Sequence, residues 1–532
     1  MPFVRRTLRA AVLATSLAFG AAALSPLLAL PAHAASLTIG MSGDITSLDP
    51  HYHNVTPNAN VAEHMFETLI AKDEKMRFKP ALALSWRAVD DTTWEVKLRP
   101  GVRYHDGSEF TAQDVVFSLA RPATVKNSPS PYTIYTKGFK DVVAVDKLTV
   151  RITTHGPYPL VPNDLSTIYM VSKKAAENAS SDDFNSGKAM VGTGPYKFVS
   201  FRKGDRIELT RNDAYWGNKP QWDTVSLRIL TNDAPRVAAL LAGDVQVIEN
   251  VPTSDIRKLS SDPGVSVFKV PTFRMMYLHM DSDRDTSPFV ADKAGKPLPR
   301  NPLKDARVRQ AMSKAISRQA IVDRVMEGAA EPTGQLVNSS LFGHVPGLKP
   351  DAPDPAAAKR LLAEAGYPDG FQLTLHTPNN RYVNDEQVAQ AIASMLTRIG
   401  IQTRVEAMPS ASFFTRANKL EFSLMLAGWG ADTGEAGSSL KSLLATYDPA
   451  KGWGASNRGR YSNPALDAKL SAALTTIDDR AREKLLQEAT EIGIKDYGVI
   501  PLYYQINVWA AKKGLTVIPR QDERTYAFSI TR

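Results

Sequence analysis

The strongest constraint on this chain lies between residues 354 and 426, where helix-period and strand-period stretches alternate. Asp354 reads as an N-cap with Pro355 at the first helical position. Leu361, Leu362 and Ala365 follow on one face, and Gly366 stops the helix. Phe371, Leu373 and Leu375 then alternate as a strand. Asp385 opens a second helix carrying Val388, Ile392, Met395, Leu396 and Ile399, ended by Gly400. Ile401, Thr403 and Val405 make another strand, and Phe422, Leu424 and Leu426 a third. Helices set between short strands predict a sheet covered by helices, an α/β architecture. Open sheets of that kind place their ligands at the carboxyl ends of the strands.

The third strand ends in Gly428-Trp429-Gly430, and a Gly-rich loop with two carboxylates, Asp432 and Glu435, follows. Ser438 and Ser439 are expected to cap a short helix holding Leu440, Leu443 and Leu444. A large ring beside an acid at a strand mouth suits a small cationic group: the ring supplies area and a negative face, the carboxylate supplies charge. A solvated loop after a strand with a core tryptophan is the competing reading of these residues taken alone.

At 532 residues the chain is too long for one ordinary domain, so two or three lobes are expected. Hydrophobic content of 43% and charged content of 22% are those of a globular protein. Without cysteine there is no disulfide, thiolate metal site or cysteine nucleophile. The formal charge of +9 is scattered, with no Lys/Arg run of the nucleic-acid-binding kind, so no nucleic-acid partner is expected. Arg5, Arg6 and Arg9, the apolar stretch Ala10 to Leu30 and Ala32-His33-Ala34 compose an export leader with a small-x-small cleavage site. No cysteine follows that site to take a lipid, which points to a soluble periplasmic protein.

The mature chain opens with a strand at Leu37 to Gly40, and Val61 to Ile70 has a helical pattern. Trp94 to Val102 alternates like a strand, Tyr104-His105-Asp106-Gly107 is a tight turn, and Thr111 is placed to cap a helix. The segment Leu82 to Arg121, running through SWRAVDDTTWEVKLRPGVRYHDGSEFTAQDVVFS, resembles the signature of the solute-binding proteins of peptide and nickel ABC transporters. The opening Ser47-Leu48-Asp49-Pro50, the run Val191 to Tyr196 (VGTGPY), Asn212 to Trp216 (NDAYW) and Asp305 to Ala311 (DARVRQA) are similar to further motifs of that family, in its order along the chain. As scaffold these motifs make sense unaided. GTGPY supplies glycines where the backbone bends into a strand from Tyr196 to Phe201, and the segment from Asp305 to Met326 reads as two helices meeting near Ser317.

The resemblance implies a two-lobed periplasmic-binding-protein fold, class II, cluster C, with an extra domain inserted in the first lobe. It divides the chain into a signal peptide (1–34), lobe I (35–71, 192–278 and 503–532), the inserted domain (72–191) and a further lobe (279–502), crossing near Tyr277 and Tyr503. In peptide-binding members an acidic residue two places after the equivalent of Gly430 holds the ligand's α-ammonium; Asp432 stands there, and Trp429 matches the family tryptophan. Leu426 stands where oligopeptide binders carry an arginine, so a ligand carboxylate needs another partner. Arg381, between a strand and a helix, is the candidate, its planar fork suiting a carboxylate. The candidate ligand set is thus Asp432, Trp429, Gly430, Arg381 and Glu435.

The function implied is capture of a short peptide or peptide-like charged solute, with delivery by a monomer to an inner-membrane ABC permease driven by cytoplasmic ATPase subunits. Nickel or a metallophore, glutathione, an opine or an oligosaccharide are the alternative cargoes within the class. No cofactor is expected. Nucleophile, metalloprotease and phosphate-loop motifs are missing, which argues against an enzyme. His51 and His53, two residues apart, read as turn or surface residues before they read as metal ligands. Trp86, Trp94, Trp216 and Trp222 read as core.

Overall fold

A computed structural model describes residues 35–532; the leader read over 1–34 lies outside the described residues. A twelve-stranded mixed sheet organises the chain. Two long antiparallel strands, Val265–Met280 and Ile500–Lys512, form its middle. The early part of Val265–Met280 pairs with residues 506–512, which pair in turn with Val247–Ile248, next to the N-terminal strand Ser36–Met41. Its later part, from Arg274, pairs on the other side with Leu424–Gly430. The register shifts between Pro271 and Met275, because Pro271 has no N–H to continue the ladder. The strand Ile500–Lys512 continues well past Tyr504, since its second half is an interior strand between the two parts of the sheet.

On one side of the long pair lie Ser36–Met41, Thr224–Ile229, Arg206–Arg211 and Tyr196–Arg202. On the other, Phe371–Pro378 pairs in parallel with Leu424–Gly430 and with Ile401–Met408. The Asp385–Arg398 helix, predicted from its pattern, and the Ser410–Asn418 helix, which was not, make these crossovers. A separate antiparallel sheet in the order Ala83–Asp90, Thr93–Leu98, Thr149–Thr154, Phe139–Asp146 stands on the first side. It shares one apolar core with the N-terminal strand, in which Ile39, Leu227, Val96 and Ile152 are all buried. A second core surrounds Leu375, Ile392 and Met312, and a third Leu440, Leu444 and Leu466.

Local chemistry sets most boundaries where expected. Asp354 accepts a hydrogen bond from the Ala357 N–H (2.8 Å), and Ser317 caps the second helix of its pair, Arg318–Arg324. Two expectations change. The helix read over 61–70 is Thr56–Met65, begun by Pro57. It stops at Phe66 because the Met65 carbonyl accepts from Gly194 and the chain turns into the strand Ile70–Lys72. The glycines of GTGPY serve that approach: a Cβ at Gly192 would overlap the Met65 carbonyl. Ser438 and Ser439 are inside a helical turn that starts at Ala436, so neither is its cap. In the Asp479–Lys495 helix the inward face is Arg482, Leu486 and Ala489, with Ala481 exposed, because Arg482 is drawn inward by an acid across the interface.

Candidate ligand-binding site

Leu424–Gly430 is buried along its first residues and opens at Gly428, Trp429 and Gly430. There it faces a cavity of about 750 Å³. The ladder to Val265–Met280 sets Arg274 opposite Gly430 and Met275 opposite Trp429, so Arg274 stands on the same rim. Small residues are required here: a Cβ at Gly428 would come within 2.7 Å of both the Tyr382 ring and Met276 Sδ.

Asp432 lies just past the strand. Its side chain is exposed to the cavity and forms no ion pair with any described residue. The Lys72 ammonium donates to the Asp432 main-chain carbonyl at 2.9 Å, which ties the loop to the opposite wall. The protein around Asp432 pushes its carboxyl above the ordinary range, against the pull of Arg274 and Lys72. Burial likewise pulls the Lys72 ammonium down to about 8, against Asp432 and Asp522. A carboxylate so placed gains from a cation brought by a ligand.

Arg381 follows Phe371–Pro378. The Asp385 carboxylate accepts from the Arg381 and Tyr382 backbone N–H groups (3.0 and 3.1 Å) and so fixes the turn. The Arg381 guanidinium lies 5.2 Å from the Tyr382 ring centroid, lines the cavity, and makes no ion pair among the described residues. The Tyr382 hydroxyl donates to the Gly428 carbonyl (3.1 Å), joining the two strand ends. The Trp429 indole lines the cavity, and its N–H has no hydrogen-bond partner among the described residues.

Glu435 does not line this cavity. It is 2% exposed and held by Arg482 at 2.5 Å, beyond the turn at Thr433 and Gly434. An inward arginine from the Asp479–Lys495 helix takes its charge, so it is not grouped with Asp432. The two histidines of HYH also part company. His51 is buried against Arg121 and the Tyr169 carbonyl, while His53 reaches the cavity wall and contacts Thr46. Among the described residues no group of three or more His, Asp or Glu is arranged to hold a metal ion.

Several lining residues carried no sequence signal. Arg458 comes from the loop before the Pro464–Ala473 helix; its Nε donates to Asn418 (3.0 Å), and the guanidinium lies 5.4 Å from the Phe414 ring. Arg274 is engaged by Glu523 through two bonds of 3.1 and 2.9 Å, and Arg520 holds Asp522 at 2.5 Å. These C-terminal acids reach the cavity from a segment without regular pattern. Tyr382 alone was recoverable, from its place beside Arg381.

Residues 77–451 match the profile of the bacterial extracellular solute-binding proteins, family 5, middle region, and the chain belongs to that family. It is 31% identical over 507 residues to the glutathione-binding protein GsiB of Salmonella paratyphi A, with 92% of this chain and 93% of that protein aligned. The structure superposes on the ABC transporter substrate-binding protein CtaP of Listeria monocytogenes with a TM-score of 0.81 and 25% identity, covering 93% of this chain and 99% of the other. It also matches the periplasmic binding protein DppA of Helicobacter pylori, solved with the peptide STSA, at a TM-score of 0.73 and 25% identity over 93% and 97% of the two chains. The fold is thus the cluster C binding-protein fold, and the chain is the solute-binding component of an ABC importer. Its relatives are binding proteins rather than enzymes.

Proposed function

We propose that this protein captures a short peptide or peptide-like zwitterion, glutathione-sized or slightly larger, in the periplasm and passes it unaltered to a permease. Asp432 receives the ligand's ammonium. Trp429 covers its apolar part and offers the indole N–H, Gly430 keeps the rim open, and Arg381 takes a carboxylate, with Arg458 as a further cation on the wall. The observation that carries this reading is that Asp432 and Arg381 share one cavity while neither has an ion-pair partner among the described residues. Opposite charges held apart, each lacking a counter-ion, suit a ligand that carries both. That glutathione is named for a relative aligned over nine-tenths of the chain supports the same class.

The domain reading follows from the function. Lobe I (35–71, 192–278, 503–532), the inserted domain (72–191) and the further lobe (279–502) move about the two long strands, and bound ligand favours the closed form. The protein acts as a monomer after its 34-residue leader is removed, and a permease with cytoplasmic ATPase subunits accepts the cargo. Titration calorimetry tests the site with glutathione, a free tripeptide and its N-acetylated form. Free-amine ligands bind and the acetylated form binds at least tenfold more weakly; equal affinities remove Asp432 from the role given to it.

A further inference from the structure

On the far side of the Asp432 loop lies a second cavity, of about 550 Å³. Its floor is the Glu435–Arg482 pair, and its walls include Trp86 and Trp94 from the four-stranded sheet, Pro162, and Phe342. The Arg482 guanidinium lies 4.3 Å from the Phe342 ring centroid. Neither binding of a zwitterion in the first cavity nor packing of the cores accounts for this space.

Four residues that line it carry buried polar atoms without hydrogen-bond partners among the described residues: Trp94 Nε1, Thr433 Oγ1, Glu435 Oε1 and Arg482 Nε. Trp94, Glu435 and Arg482 are 7%, 2% and 6% exposed, so these are groups that folding normally satisfies. Leaving such groups unpaired costs folding free energy. Their concentration around one aromatic-walled cavity points to a ligand group that supplies both a donor and an acceptor. Glu435 and Arg482 balance each other inside the protein, while the second acid on Arg482, Asp479 at 3.3 Å, is 78% exposed and solvated; a net charge brought onto the buried pair would lack compensation.

We propose that this second cavity binds the ring of an uncharged aromatic group bearing a hydroxyl or N–H on its edge. The apolar body packs against Trp86, Phe342 and Pro162. A phenolic O–H donates to Glu435 Oε1 while its oxygen accepts from Trp94 Nε1 or Arg482 Nε. The ring has two sources, a free phenol or indole, or a side chain of the cargo itself; the second rests on the function proposed above. Met76 lines both cavities, and the loop between them places Asp432 in one and Thr433, Gly434 and Glu435 in the other.

Calorimetric titration of the exported protein with p-cresol tests this, with toluene as the same ring lacking the hydroxyl. Saturable one-site binding of p-cresol is expected, with toluene at least tenfold weaker. Ser339, exposed on the cavity rim, allows a blocking variant. Ser339→Trp weakens p-cresol at least tenfold and leaves glutathione affinity within twofold. Phe342→Leu, which keeps apolar volume but removes the ring, weakens it at least threefold. If the ring belongs to the cargo, a tyrosyl peptide binds more tightly than its alanyl counterpart and loses that gain in Ser339→Trp. If it is a free molecule, p-cresol and peptide bind together without competing. Absence of saturable p-cresol binding, binding indifferent to Ser339→Trp, or a crystal structure grown with p-cresol showing only water on Trp94 Nε1 and Glu435 Oε1 overturns the proposal. Failure of every peptide and of glutathione to bind, with p-cresol binding intact, would instead sink the zwitterion reading and leave this site standing.

Discussion

At the scale of single residues, Asp432 and Glu435 show how three positions separate two fates. Glu435 is buried and Asp432 stands exposed on the cavity wall, yet the protein packed around each draws water away and raises both carboxyls. Glu435 meets Arg482 and is neutralised inside the protein, while Asp432 opens to the cavity with no ion-pair partner among the described residues. Replacing Asp432 by Ala should weaken a free-amine ligand by about 2–4 kcal/mol, the usual loss for one partner of a desolvated charge pair, and should leave Tm nearly unchanged. Calorimetry and thermal melting check the two halves, and unchanged affinity excludes the ion pair. Gly192 makes the opposite kind of prediction. A side chain there would collide with the Met65 carbonyl, which is backbone and cannot yield cheaply. Gly192→Ala should destabilise the protein by about 3 kcal/mol, the upper part of the overpacking range, with ligand affinity preserved in whatever folds.

At the scale of elements, two histidines pin the Thr56–Met65 helix and the GTGPY run in place. His64 donates through Nδ1 to the Asn60 carbonyl (2.9 Å) and accepts at Nε2 from the Ala527 N–H (3.0 Å). His105 accepts at Nδ1 from the Gly192 N–H (3.3 Å) and donates through Nε2 to the Gly194 carbonyl (3.0 Å). Both arrangements need the neutral ring, because a second N–H would face a donor. Burial pulls both down to about 4, as it does His51. Since the folded values lie below the unfolded one, their stabilisation is complete above about pH 6.5 and is lost as the pH falls through 4. Glu67, pushed up to about 7 by burial, works in reverse: its contribution is lost as the pH rises through 7. Burial also holds His279 and His376 low, and Asp164, Asp385, Asp432 and Glu435 join Glu67 as raised carboxyls. The imidazole contribution is therefore read by difference: Tm should fall less between pH 6.5 and 4 in His105→Gln than in the parent protein, and an equal fall, followed by circular dichroism, contradicts the assignment.

At the scale of the whole molecule, the two long strands are the continuous links between the parts of the sheet on either side of the cavity. A ligand that bridges those parts binds only the folded, closed arrangement. At a hundred times its Kd it should stabilise the fold by about 2.7 kcal/mol and reduce the radius of gyration measured by small-angle scattering. A ligand that raises Tm without contracting the molecule would place binding on one lobe alone.

What the amino-acid order determined by itself is local. Apolar periodicity, N-caps such as Asp354 and Ser317, and the stop glycines act within a few residues, so the strands and helices from 354 to 426 were legible, as was the aromatic-acid loop at the strand mouth. The tertiary structure decided which charges meet. Glu435 left the candidate set because an arginine 47 residues away turned inward to it, and Arg274, Arg458 and the C-terminal acids joined the cavity through contacts that no periodicity records. Charge pairing and desolvation depend on distances across the fold, and only packed coordinates fix those distances.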